Sequence, residues 1–423
     1  MKKIYILVMG LMLMVFSGFS QMSVHQVLVG SGGIYGNDVD HVMISGVNPD
    51  DLSSTDIGEV NRESIQDMIV VGDFAYVAAE DSLVKFDLQS NTKIVSVYES
   101  NLSRLYSVND QLYVSRRSDV NGAPADGIYL KSYDLDLNYL ASANGISTDA
   151  AGMLMVGDSL YIAVSGDWQA TEGALAVATS DLSFMREINL GADAVGIYDL
   201  FAEGDMIYSV NKSPYGATTG SITVYETPTA TWTTNVFDHI VGKAVSKVGS
   251  SIYLLLDYGI GSYNIDIAGV DADLYVPDPG SANYIAIAGA AFDSINNLFY
   301  VSITDYFSFG EGKVYDMSAN QTGSFDAGVS AEVVAIQYAD ETVVHELMDM
   351  QANVYPNPVS SMLYIDCSEQ FDHISVYNEL GALVKDIPHL SARAFDMSDL
   401  PNGFYMVKMS SATSFVIKKI QKN

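Results

Sequence analysis

Six times along this chain a tight turn leads into a strand that carries tyrosine at one register. The segments are Gly72-Asp73-Phe74-Ala75-Tyr76-Val77, Asn109-Asp110-Gln111-Leu112-Tyr113-Val114, Gly157-Asp158-Ser159-Leu160-Tyr161-Ile162, Gly204-Asp205-Met206-Ile207-Tyr208-Ser209, Gly249-Ser250-Ser251-Ile252-Tyr253-Leu254 and Asn296-Asn297-Leu298-Phe299-Tyr300-Val301. Their tyrosines lie 37, 48, 47, 45 and 47 residues apart. A strand precedes each turn, as Met68-Ile69-Val70-Val71 does, and two usually follow, as do Leu83-Val84-Lys85-Phe86-Asp87 and Ile94-Val95-Ser96-Val97. A unit of four short strands cannot bury both its faces alone, so such repeats pack in series, and this period is that of a propeller blade. The tyrosine, present in every repeat, is expected to pack between blades rather than to touch a ligand.

The two ends supply one more blade. Gln26-Val27-Leu28-Val29 has strands after it but no inner strand before it, and Val333-Val334-Ala335-Ile336 is an inner strand without its own blade. Ala339-Asp340-Glu341 reads as a turn and Thr342-Val343-Val344 as a short continuation. Joining the ends removes the open sheet edges that invite aggregation. The expected fold is all-β, a seven-bladed β-propeller over 22–350. Six or eight blades are the alternatives, because the first and last units are irregular.

The final stretch is of another kind. It runs Tyr355-Pro356-Asn357-Pro358, then Ile374-Ser375-Val376-Tyr377-Asn378 with Gly381, then Pro401-Asn402-Gly403-Phe404-Tyr405-Met406-Val407-Lys408, and closes on Lys418-Lys419-Ile420. Pro401-Asn402-Gly403 is a turn between apolar runs. Phe404 and Met406 alternate with Tyr405 and Val407, so both faces of that strand are expected to be covered. A small β-sandwich over 351–423 follows. Motif by motif this stretch resembles the C-terminal sorting domain of cargo for the bacterial type IX secretion system. The resemblance implies the secretion machinery as a partner and the cell surface or medium of a Gram-negative bacterium as the destination.

The other end agrees. Met1-Lys2-Lys3 precedes an apolar run from Ile4 to Phe16, and Gly18-Phe19-Ser20 offers small residues for cleavage. Residues 1–20 therefore read as a signal peptide. Cys367 is the single cysteine, so no lipid-bearing cysteine stands at the cleavage site and no intramolecular disulfide can form. No later segment is apolar enough to span a bilayer. Residues 22–350 carry 12 Lys and Arg against 45 Asp and Glu, a balance of −33, whereas 351–423 carry 6 against 7. So acidic a body repels phosphate backbones, which excludes nucleic acid as a partner. It suits solubility as a monomer in a salty exterior.

Val27-Leu28-Val29-Gly30-Ser31-Gly32-Gly33-Ile34-Tyr35-Gly36-Asn37-Asp38, continued by Ile65-Gln66-Asp67-Met68 and Leu83-Val84-Lys85-Phe86-Asp87-Leu88, resembles the opening of extracellular propellers of the YVTN, quinoprotein-like superfamily. Some of those capture cobalamin at the outer membrane of gut bacteria. No ligand motif of that group carries over residue by residue.

Chemical motifs are scarce. His25, His41, His239, His345, His373 and His389 form no closely spaced metal-ligand pair, and no Gly-x-Ser-x-Gly elbow is present. Gly30-Ser31-Gly32-Gly33 opens no helix that would cradle phosphate. Asp134-Leu135-Asp136 and Asp271-Ala272-Asp273 lack the glycine and distal glutamate of a calcium loop and read as solvated strand residues. Neither cofactor, metal nor catalytic residue is expected.

One pattern points to binding. Within a blade, the loop joining the second and third strands lies at the same end as the connection into the next blade. Those loops carry Tyr35, Arg116, Arg117, Trp168, Tyr215, Tyr258, Tyr306 and Phe307. The connections add Asn61, Arg62, Arg104, Asp238, His239, Asn283 and Tyr284. Aromatic platforms with sparse polar groups suit a sugar, a corrinoid or another planar ligand. The expected function is a secreted or surface propeller that binds a small molecule, glycan or protein. The alternative is a hydrolase or lyase acting on a polysaccharide or lactone at the channel mouth, which would need convergent carboxylates or a metal there.

Overall fold

The computed structural model describes residues 21–34, 36, 40–341, 352–367, 373–378, 383–388, 393–410 and 415–423. The signal peptide, Tyr35 and the continuation at Thr342–Val344 lie outside them. The chain divides into two compact units, one of residues 22–339 and one holding the stretch from Asp340 onward.

Seven four-stranded antiparallel sheets make the first unit. Six form in chain order, and blade 5 is typical: Ile197–Glu203, Met206–Asn211, Gly220–Glu226 and Thr231–Phe237. Blade 1 is composite. Its inner strand Ala331–Glu341 pairs with Gln21–Ser31, which pairs with Val42–Val47 and then Ser54–Val60. The expected turn at Ala339-Asp340-Glu341 is corrected, since the strand runs through Glu341 opposite a partner that reaches back to Gln21.

The repeat explains itself in this frame. Gly72, Asn109, Gly157, Gly204, Gly249 and Asn297 all have φ between 53° and 58°, the left-handed backbone that a tight hairpin requires and that glycine and asparagine tolerate. The repeat tyrosines are all buried, at 9 % exposure or less. Each points from the second strand of its blade into the next one. The Tyr76 hydroxyl donates to the Leu135 carbonyl at 2.7 Å and that of Tyr113 to the Ser180 carbonyl at 2.7 Å, both in turns of the following blade. The packing role expected of them is the one they have, at roughly 1.5–3 kcal/mol each for burying a large apolar side chain.

The core is seven clusters, each shared by two successive blades. Leu28, Ile44 and Val333 of blade 1 meet Met68, Val77 and Phe86 of blade 2. On its other side, Val27, Val29 and Ala331 meet Tyr300, Val314 and Phe325 of blade 7, which closes the ring. Ser302 locks this seam from a fully buried position. Its hydroxyl donates to the Ala331 carbonyl at 2.7 Å and accepts from the Gly289 amide at 2.9 Å. Ser302→Ala strands two buried backbone groups and is expected to destabilise the propeller by about 1–3 kcal/mol, read as a lower denaturant midpoint. An unchanged midpoint would remove the seam from the account.

Much of the acidity is turn chemistry. Asp134 accepts the amides of Asp136 and Asn138 at 2.9 and 2.8 Å, and Asp316 those of Ser318 and Asn320 at 2.8 and 2.9 Å. Such side-chain caps hold the turns between third and fourth strands. Asp134 ends the third strand of its blade and Asp136 lies in the turn that follows, so the two do not share one face of a strand.

The second unit packs Ala352–Tyr355, Met362–Cys367 and Ala394–Asp396 against Leu383–Pro388, His373–Asn378, Gly403–Ser410 and Phe415–Lys422. Tyr405, Val407 and Met409 enter its core, while Phe404 and Met406 stay 44 % and 45 % exposed. One face of that strand is covered, not both. Asn357 of the Tyr-Pro-Asn-Pro motif explains the link between the motif and the chain end. Its side chain donates to the Lys419 carbonyl at 3.1 Å and accepts the Gln421 amide at 2.9 Å.

Candidate functional site

The inner strands of all seven blades line a central cavity of about 280 Å³. Charged residues stand near the start of these strands, at the end facing the second-to-third loops: Asp67, Arg104, Asp199, Lys243 and Glu332. Irregular pairing at Leu102/Leu105, Ile197/Asp199 and Val241/Ala244 accompanies three of them, since a bulge re-aims a side chain.

Arg104 of blade 3 is the hub. It reaches Asp67 of blade 2 at 3.3 Å and Asp199 of blade 5 at 2.7 Å. Gly152 occupies the corresponding place on blade 4, where a β-carbon would stand 2.6 Å from the Tyr198 carbonyl oxygen. The absent side chain lets Arg104 pass. The second oxygen of Asp67 accepts the Leu105 amide at 2.8 Å and that of Asp199 the Ala244 amide at 2.7 Å. Burial opposes the guanidinium charge, but Asp67 and Asp199 outweigh it and raise its pKa. Burial, helped by Arg104, pulls the Lys243 ammonium down to about 8. That ammonium donates to the carbonyls of Ala288 and, at 3.2 Å, Glu332. Burial pushes the Glu332 carboxyl up, against the pull of Lys243 and Arg117.

The loops around this end hold the residues the sequence singled out. Trp168 and Tyr215 come together edge to face, ring centroids 5.4 Å apart and planes at 65°, and are 75 % and 79 % exposed. The Tyr215 amide donates to the Gln169 carbonyl at 3.0 Å, which ties the loops of blades 4 and 5. Tyr258, Tyr284, Tyr306, Phe307 and Phe309 are also exposed at this end. His239 binds Asp257 at 2.6 Å, beside Tyr258. Arg117 is exposed at the mouth. Arg116 does not reach the mouth: it is 2 % exposed and turned into blade 3, where it binds Glu99 and Asp126 at 3.0 and 2.7 Å. Its assignment as a ligand contact gives way to an internal clamp.

Asp67, Asp199, Lys243 and Glu332 were not singled out from sequence. A signal existed: Asp67, Arg104, Gly152 and Asp199 each stand nine residues before the repeat tyrosine of their blade. Glu332 offers none, because its blade mates lie at the other end of the chain. Among the described residues no group of three or more His, Cys, Asp and Glu is placed to hold a metal.

Comparison with known proteins bears on destination and fold. Residues 353–423 match the secretion system C-terminal sorting domain. That match marks the chain as type IX cargo, delivered to the cell surface or the extracellular space. No helix among the described residues is long and apolar enough to cross a membrane. No curated protein matches the chain. Among solved structures it is similar to a candidate 6-phosphogluconolactonase from Bacteroides uniformis, at 10% identity and TM-score 0.52 over 74% of this chain and 100% of that one. It is also similar to PorZ, a surface component of the type IX secretion system of Porphyromonas gingivalis, at 12% identity and TM-score 0.47. That match covers 96% of this chain but only 59% of PorZ. AztD from Citrobacter koseri gives 10% identity and TM-score 0.44 over 75% of this chain and 99% of that one. At 10% identity the likeness to the Bacteroides uniformis structure is one of fold.

Proposed function

We propose that this type IX cargo is a binding propeller, which takes a glycan, a planar small molecule or a protein on the face built by its second-to-third loops. One observation carries the reading. Exposed aromatic side chains gather at that face, from Trp168 and Tyr215 on blades 4 and 5 to Tyr306, Phe307 and Phe309 on blade 7. Large apolar groups held in water at one end of a molecule mark an interaction site. Binding is favoured over hydrolysis because Asp67 and Asp199, the carboxylates that line the cavity, already accept both Arg104 and a backbone amide.

Replacing Trp168, Tyr215 and Tyr306 together by alanine tests it. Capture of a ligand found by glycan-array or small-molecule screening is expected to fall at least tenfold, about 1.4 kcal/mol. Trp168 and Tyr215 are exposed, so each should change stability by no more than about 0.5 kcal/mol. Retained capture, or a stability loss several times larger, would show that the aromatics pin loops instead.

A further inference from the structure

A second cavity, of about 580 Å³, lies at the loop end of blade 4. Three segments wall it: the connection into the blade at 147–148, the second-to-third loop at 171–174, and the stretch 187–195 that leaves the blade. Hydrogen bonds fix these walls. The Ser147 amide donates to a Glu187 carboxylate oxygen at 2.7 Å, and the Gly196 amide to the Glu172 carbonyl at 2.8 Å. Gly173 lets the segments close up, since a β-carbon there would stand 3.2 Å from both the Gly196 nitrogen and the Val164 carbonyl oxygen. The cavity is therefore built before any ligand arrives, which spares the ligand the cost of ordering it.

Its lining selects a chemistry. The hydroxyls of Ser147, Thr148 and Thr171, the carboxylates of Glu172 and Glu187 and the amide of Asn189 line it, and among the described residues no Lys, Arg or His does. The Glu172 carboxylate and the Thr148 and Thr171 hydroxyls make no hydrogen bond among the described residues. Charged acceptors beside groups that both donate and accept match a ligand rich in hydroxyls. A phosphate, sulfate or uronate would meet two carboxylates and no cation, on a body whose charge over 22–350 is −33. The aromatic pair stands on the same loop. Trp168 precedes Thr171 by three residues, so their α-carbons are at most about 10 Å apart. The Ala170 amide folds that stretch into a turn by donating to the Asp167 carbonyl at 3.0 Å. A chain molecule that fills the cavity extends onto Trp168 and the Tyr215 ring beside it.

We propose that the cavity and the Trp168–Tyr215 pair form one site for an uncharged oligosaccharide. Sugar hydroxyls donate to Glu172 and Glu187 and accept from Asn189, and a neighbouring sugar lays its C–H face on Trp168. Both parts are needed. The carboxylates alone would take any polyol, and the rings alone any flat apolar molecule. A chain of neutral sugars satisfies the two together and leaves no polar group of the cavity stranded. The inference rests on the reading of the loop face as the binding face and names its ligand class.

Calorimetric titration of the full chain with trisaccharides to pentasaccharides tests it. The neutral probes are built from glucose, mannose, galactose, xylose or N-acetylglucosamine, and galacturonate oligomers are the charged control. At least one neutral probe is expected to bind saturably. Glu172→Ala, Trp168→Ala and Ala192→Phe, the last of which fills the cavity, should each weaken it at least tenfold. All three positions are exposed, so the variants are expected to fold. Absence of binding by every neutral probe at about 10 mM, binding confined to galacturonate, or an affinity left unchanged by any of the three substitutions would each overturn the proposal. If no oligosaccharide binds while the variant lacking Trp168, Tyr215 and Tyr306 still loses another ligand, the sugar site falls and the binding face stands. If capture also survives that triple variant, both fall.

Discussion

Arg116→Met is expected to cost the propeller about 3–5 kcal/mol, the usual effect of breaking a buried ion pair from one side. Arg116 is a fully enclosed clamp. Its Nε donates to the Ser100 carbonyl at 2.8 Å, Nη1 to Asp126 at 2.7 Å and to the Ile128 carbonyl at 2.6 Å, and Nη2 to the Ser100 hydroxyl at 2.9 Å. Glu99, itself 6 % exposed, lies 3.0 Å away and is shared with Lys131 and the Tyr133 hydroxyl. Removing the arginine leaves a buried carboxylate with too few partners, so adding Glu99→Gln to Arg116→Met should restore a large part of the loss. Acid should act through the same cluster. Burial raises the Asp126 carboxyl, but bonds from Arg116, the Ile128 amide and Lys131 outweigh it and hold it at about 2. Its folded value is therefore below its unfolded one. The stability it contributes is present in full above about pH 4 and fades as pH falls toward 2. Denaturant midpoints of wild type and Asp126→Asn should differ at pH 6 and converge at pH 2. Equal midpoints at pH 6, or a mild Arg116→Met, would refute the clamp.

Removal of residues 353–423 should end export altogether. In a host with type IX secretion, the truncated protein is expected in the periplasm and at background level outside. The stretch is a folded module, so a single core change should act like the deletion. Val407 is fully buried in it, and Val407→Asp places a charge there without a partner, which unfolds or severely loosens a domain of this size. Periplasmic retention of both variants is the expected fractionation result. Normal export of Val407→Asp beside failed export of the deletion would mean that the machinery reads a linear signal instead.

Architecture was legible because one constraint repeats. The hairpin glycine or asparagine and the buried tyrosine occur in blade after blade, so spacing alone separated the strands, and the orphan strands at Val27 and Val333 implied a shared blade. The site was less legible. Exposure does not show in a sequence, and Arg116 illustrates the consequence. It stands three residues after Tyr113, where Ala79, Val164, Leu256 and Ile303 stand in other blades, all of them buried. Aligning the repeats on tyrosine would have placed Arg116 in the core, whereas reading the loop by its composition placed it at the mouth. Trp168 and Tyr215 are exposed, as large aromatics in a Gly- and Pro-bearing loop with few places to hide are expected to be. Asp67, Asp199, Lys243 and Glu332 were missed because each is set among apolar residues of an inner strand. Their meaning arises only when the ring brings them together.

Ligand binding at the loop face is tested by a thermal-shift screen of the full protein against glycans, cobalamins and Ca²⁺, with and without chelator. A ligand that binds only the folded state must raise the melting temperature, by an amount that grows with its concentration. Such a rise is expected with a glycan or planar ligand, insensitive to chelator and absent in the variant lacking Trp168, Tyr215 and Tyr306. A rise with Ca²⁺ alone that chelator abolishes, or a ligand-induced rise that survives loss of those three side chains, would contradict it.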